Sequence, residues 1–148
     1  MQQASKDFKF VLAMDAVAAG TGDTQVGNTI DTDGFDNCAF IAIVGTVTAT
    51  GTAQLKAGGG AASNGSDKSD IAGSAGGGAT LTASNTMALL DIIKPQQRYL
   101  TPEIVRATAN VVINGVVAVL YNGRTRPVVE DASLAQVTAL VSPALGIA

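Results

Sequence analysis

Three carboxylates fall within six residues in D-T-D-G-F-D, at Asp31, Asp33 and Asp36, a density that suits a hard cation bound through oxygen. A calcium loop of that kind closes with a distal bidentate glutamate, and the stretch that follows, Cys38 to Val44, offers no oxygen side chain. The Asp, Gly and Asn cluster therefore reads first as a turn capped by its own carboxylates, with a bound cation as the alternative. Other reactive types are thin. The chain has no histidine, which removes the commonest general base and the commonest transition-metal ligand together. It has no G-x-S-x-G and no serine beside a base, so nucleophilic catalysis has no candidate. Glycoside chemistry needs paired carboxylates in a cleft with aromatic walls, and there is no Trp and only two Tyr. Glu130 and Asp131 are expected to pair with Arg124 or Arg126 as a surface network. No catalytic, cofactor-binding or metal-ligating set is assigned, and the expectation is a protein that is not an enzyme.

The single cysteine, Cys38, has no partner for an internal disulfide and reads as a small core residue. The Gly- and Ser-rich segment 58–78 lacks the G-x-x-x-x-G-K-[ST] phosphate cradle and is expected to be a mobile excursion or a contact loop that orders on a partner. Asn64-Gly65-Ser66 matches the glycosylation acceptor pattern, but M-Q-Q-A-S-K-D-F-K-F lacks the apolar core of a signal peptide, so no secretion is expected. A net charge of −3 argues against a nucleic-acid partner. Mean hydropathy is +0.30, yet no run approaches the roughly 18 apolar residues of a membrane span.

The elements that must carry these residues are strands. Ile30 to Val47 is the organising stretch: turn residues run into the uncharged C-A-F-I-A-I-V, the pattern of a central strand buried on both faces. Gly45 within it suggests a bulge or a close backbone approach. F-K-F-V-L-A-M reads as a strand whose strongly apolar face is Phe8, Phe10, Leu12 and Met14, followed by a flexible A-A-G-T-G-D-T-Q link and a short strand at Val26 to Ile30. A hairpin tip is placed near Gly51, with its second strand over Thr52 to Ala57. Thr86 to Ile93 fits a helical turn pair or a strand, and the strands on both sides favour a strand. Arg98 to Thr108 is expected at an edge or a bulge because Pro102 has no N–H to give a ladder. Val111 to Tyr121, kinked at Asn114-Gly115, is the expected partner of the central strand.

This predicts an all-β, single-domain antiparallel β-sandwich or jelly-roll-like barrel over residues 1–122, with extended N- and C-terminal arms, the second over residues 123–148. Leu134, Val137, Leu140, Val141, Leu145 and Ile147 in that tail need covering, by their own domain or by a neighbouring chain.

The ordered set D-T-D-G-F-D-N-C-A-F-I-A-I-V-G-T-V-T-A-T-G-T-A-Q-L-K, then D-I-I-K-P-Q-Q-R-Y-L-T-P-E-I-V-R-A-T-A-N, then L-Y-N-G-R-T-R-P-V resembles small structural proteins encoded near the major capsid gene of tailed bacteriophages. The resemblance covers about Thr29 to Val129. The Gly/Ser loop departs from the more polar, aromatic-containing stretch of that group. The resemblance implies a capsid decoration (cement) protein on the virion surface, made in the host cytoplasm. The alternatives are a head-fibre base or another virion part, and then a small-ligand or enzymatic module. Its expected partners are the major capsid protein and copies of itself, as a trimer. Arg124, Arg126, Leu134, Val137, Leu140 and Val141 are the expected contact residues, with the two arginines clamping acidic shell surface.

Overall fold

A computed structural model describes residues 3–74 and 80–139. Its eleven strands form two antiparallel sheets packed as a sandwich. Sheet A runs β1 (Lys9–Met14), β11 (Val111–Gly123), β5 (Phe35–Val47) and β9 (Met87–Ile93), with β2 (Val17–Gly20) also on β11. Sheet B centres on β10 (Tyr99–Ala107) and β6 (Thr52–Gly60). The short strands β3 (Asp23–Val26) and β4 (Ile30–Asp31) lie on β10, and β7 (Ser69–Asp70) and β8 (Thr80–Leu81) lie on β6.

The two longest strands, β5 and β11, pair with each other at the centre of sheet A, as the sequence indicates. Their inward residues Cys38, Phe40, Ala42, Val44, Ile113, Val116, Ala118 and Leu120 are buried against Leu55, Leu100 and Ile104 of sheet B. Burying each of the Val, Leu, Ile and Phe side chains among them contributes about 1.5–3 kcal/mol, so this layer carries most of the stability. The expected kink is present: the register shifts between Ile113 and Gly115, and Gly115 takes φ +144°. Of the two readings of Gly45 the bulge is present, since the register shifts where Val111 faces Val47 and Ile113 faces Val44, and a Cβ at Gly45 would stand 2.8 Å from a side-chain atom, Asn114 Oδ1.

Five expectations change. The central strand is not buried along the whole of both faces: on the outer face Asn37 and Ala39 are buried, but Ile43 is 38% exposed. The apolar face of β1 points the opposite way from the one expected. A register shift between Leu12 and Met14 turns Ala13 and Met14 into the core, while Leu12 faces out. The A-A-G-T-G-D-T-Q stretch is not a free link, because it carries β2 and β3. Gly51 does not tip a hairpin. The turn after β5, with Thr50 at φ +69°, passes the chain from sheet A to sheet B, where β6 pairs with β10. A second arch from β10 to β11 stacks on it through Thr48 N–H to Asn110 O at 2.9 Å.

The fifth change concerns Pro102, which lies in an interior strand, between β6 and the β3/β4 pair. The N–H and C=O of one strand residue point to the same side, and Pro102 O accepts from Gly27 on the β3/β4 side. The missing N–H therefore falls in the gap between β3 and β4. There the chain bends away and Asn28 N–H donates to Ala13 O at 2.7 Å. Only glycine fits at 27, where a Cβ would meet Ala13 O at 2.4 Å and Pro102 Cγ at 2.8 Å.

Candidate contact surface

The Asp31 turn is held by arginine. Arg98 donates from Nε and Nη2 to the two Asp31 carboxylate oxygens, each at 2.8 Å, and Asp33 N–H donates to Asp31 Oδ1 at 3.0 Å. The Arg98 guanidinium holds the Asp31 carboxyl below its usual range. Asp36 faces Arg124, Nε to Oδ1 3.5 Å. Asp33, Asp36, Arg98 and Arg124 border an open cavity of about 430 Å³ that Phe35, Lys94 and Gln97 also line. The capped-turn reading describes this geometry. Among the described residues no three acidic, Cys or His side chains stand together as a metal site.

The expected network of Glu130 and Asp131 with Arg124 and Arg126 does not form. Arg124 turns to Asp36, and Arg126 pairs with Asp7 at 3.0 Å. Asp7 belongs to a single helical turn, α1 (Ala4–Asp7), so the N-terminal segment is not extended. Glu130 instead accepts from Phe10 N–H at 3.1 Å, and Asp131 accepts from Ser133 N–H at 2.9 Å. Ser133 Oγ takes the next donor of the same edge, Leu12 N–H, at 3.0 Å. Val128 N–H donates to Lys6 O at 3.0 Å. The beginning of the tail thus runs back along β1 and caps an edge that would otherwise present unpaired donors. Leu134 closes this run, half-buried beside Phe10, Leu12 and Val117. Residues 135–139 are exposed without exception, Val137 at 46%. Leu140, Val141, Leu145 and Ile147 lie outside the described residues.

Around the Gly/Ser segment, β6 extends three residues further than expected, to Gly60. Asp67 accepts the Ala61 and Ala62 N–H groups at 2.9 and 3.0 Å, and Ser74 Oγ donates to Ala57 O at 3.1 Å. Lys68 reaches over sheet B to Glu103, which also meets Lys56 at 3.0 Å. Burial alone would raise the Glu103 pKa, but the two ammoniums more than offset it and leave it lowered. Residues 75–78 of the expected excursion lie outside the described residues.

Arg106 is a buried charge, 4% exposed. It donates to Asp23, to Ala18 O at 2.6 Å and to Val111 O at 2.9 Å, tying β2, β3 and β11 to β10. Cys38 is fully buried, and that burial pushes its thiol up to about 12, which leaves it protonated and unreactive.

The feature that sequence reasoning missed is the outer face of sheet A. Register places Met87 opposite Ile43, Leu89 opposite Ile41, Ile41 opposite Val117 and Val117 opposite Leu12. Met87 is 69% exposed, Leu89 62% and Ile93 67%. The carboxylate on this part of β9, Asp91, accepts from Tyr121 Oη at 2.6 Å. That bond, with burial, pushes the Tyr121 phenol up to about 12. The signal was present in M-A-L-L-D-I-I and C-A-F-I-A-I-V, both apolar at odd and even positions, which served to infer burial rather than a second open face.

No family model matches the chain, and no curated relative matches it. Among solved structures, it is similar to the CBM22-1–GH10 modules of Clostridium thermocellum endo-1,4-beta-D-xylanase 10B complexed with xylohexaose. The TM-score is 0.44 at 13% identity, over 82% of this chain and 28% of that one. It is also similar to the enzymatically active domain of bacteriophage CBA120 tailspike protein 4. There the TM-score is 0.41 at 13% identity, over 79% of this chain and 19% of that one. The chain therefore spans less than a third of either.

Proposed function

We propose that this is a non-enzymatic structural protein of a tailed-phage virion, a decoration protein that binds the outside of the head and holds neighbouring subunits together. The motif order over Thr29 to Val129 supplies the virion assignment. The observation that carries a contact role is the open apolar face of sheet A, together with the exposure of residues 135–139 just beyond Leu134. Soluble monomers rarely expose contiguous apolar patches of this kind unless a partner covers them. The charged groups fit the same reading, since Arg98, Arg106 and Glu103 are committed to holding loops and strands together. Arg124 and Arg126 keep exposed guanidiniums, 69% and 52%, beside their carboxylates and remain able to meet acidic shell surface. Each such exposed pair contributes no more than about 1 kcal/mol, so strength would come from repetition across the lattice.

The test is cosedimentation of the purified chain with expanded, empty heads of the phage that encodes it, with bound copies counted at saturation. Copies that scale with the whole lattice support the decoration role. Occupancy of a few vertices would move the assignment to a head-fibre base, and absence of binding would overturn both.

A further inference from the structure

We propose that the outer face of sheet A, along β9, is the seat of the C-terminal segment of a second copy of this chain. β9 pairs with β5 on one side, and no strand pairs its other side among the described residues. Its sequence M-A-L-L-D-I-I has neither Lys nor Pro, the residues that usually guard a free edge. An extended segment laid there gains main-chain hydrogen bonds from the edge and apolar contact with Met87, Leu89 and Ile93.

The occupant follows from the tail. Residues 135–148 carry no charge and contain Val137, Leu140, Val141, Leu145 and Ile147, which matches a face whose carboxylate is already bonded to Tyr121. The tail of the same chain reaches this sheet at the opposite border, where Leu134 sits against Leu12 of β1. β9 stands three strand spacings away, about 14 Å. The next five residues are exposed. Fourteen residues beyond Leu134 extend up to about 46 Å, enough to reach a neighbouring molecule. The open face and the uncharged segment that suits it occur on one molecule, and exchange between copies would pair them.

This inference deepens the contact role proposed above and rests on that role, but its test needs no capsid. Sedimentation of the full chain is compared with a chain ending at Leu134 and with Leu89→Lys, and folding of each is checked by circular dichroism. In parallel, Leu89→Cys protein is mixed with Leu145→Cys protein and oxidised; Cys38 is buried and stays out of the reaction. The expected results are an oligomeric full chain, monomeric and folded truncation and Leu89→Lys proteins, and a disulfide joining the two different chains. A monomeric full chain, an oligomer that survives Leu89→Lys, or a Leu89→Cys/Leu145→Cys double variant that links only within one chain would overturn it. Oligomers that fail to bind heads would overturn the capsid reading alone.

Discussion

Replacing Arg106 by Met removes the one guanidinium that bridges both sheets while keeping much of its volume. Val111 O loses a buried donor and Ala18 O a partly buried one. A carbonyl stranded without a partner costs about 1–3 kcal/mol. Asp23, whose side chain is 38% exposed, recovers water and adds less. The sum is about 3 kcal/mol, a large part of the roughly 5–15 kcal/mol that holds a domain of this size together. In thermal unfolding it corresponds to a fall in Tm of about 6–12 °C. A second substitution makes the reasoning stricter. A Cβ at Gly20 would stand 2.5 Å from Arg106 Nη2, so Gly20→Ala should cost about 1–3 kcal/mol in the native chain by overpacking. In the Arg106→Met background that clash is gone and the cost should fall to near zero. Urea unfolding of the four proteins reads the coupling directly. Additive losses, or an Arg106→Met protein within about 0.5 kcal/mol of native, would refute the assigned role.

Gly27→Ala should destabilise by about 2 kcal/mol or more, because the backbone of β1 and the ring of Pro102 leave no room for the methyl group; the urea midpoint reads it. Cys38 should resist a thiol reagent at neutral pH in the folded protein and react fully once denaturant is added. Acid should weaken the fold: Asp23 and Asp31 have pKa values lowered by Arg106 and Arg98, so their contribution is present above the unfolded-state pKa and is lost as pH falls through the folded value, below about 4. Asp31→Asn should flatten that acid dependence, and a midpoint that falls with pH as steeply as in the native chain would contradict it.

The strands were readable where side-chain type and local turn chemistry decide them. C-A-F-I-A-I-V and V-V-I-N-G-V-V-A-V-L-Y announced both their existence and their pairing. What failed depended on relations between distant segments. The face of β1 turns on one register shift after Leu12, and alternation alone cannot place such a shift. Pro102 is tolerated inside a sheet only because Gly27 and Asn28 leave the ladder at the same level. Arg124 and Arg126 were expected to pair with their neighbours in sequence, whereas the fold carries Asp36 and Asp7 to them. For the contact surface, the sequence flagged the apolar tail but not its counterpart. Apolar residues on both faces of a strand look alike whether the second face is covered or open.

The folded part of the tail also sharpens how an arm should be removed. Ser133 and Leu134 serve β1, so a cut after Leu134 spares the domain, whereas a cut before Ser133 exposes the Leu12 N–H. Binding of the full chain and of residues 1–134 to expanded heads, measured side by side with bound copies counted, is therefore the most direct test. The full chain should saturate the lattice, and the shortened chain, with an unchanged unfolding midpoint, should lose binding. Equal binding of the two, or no binding of the full chain, would contradict it.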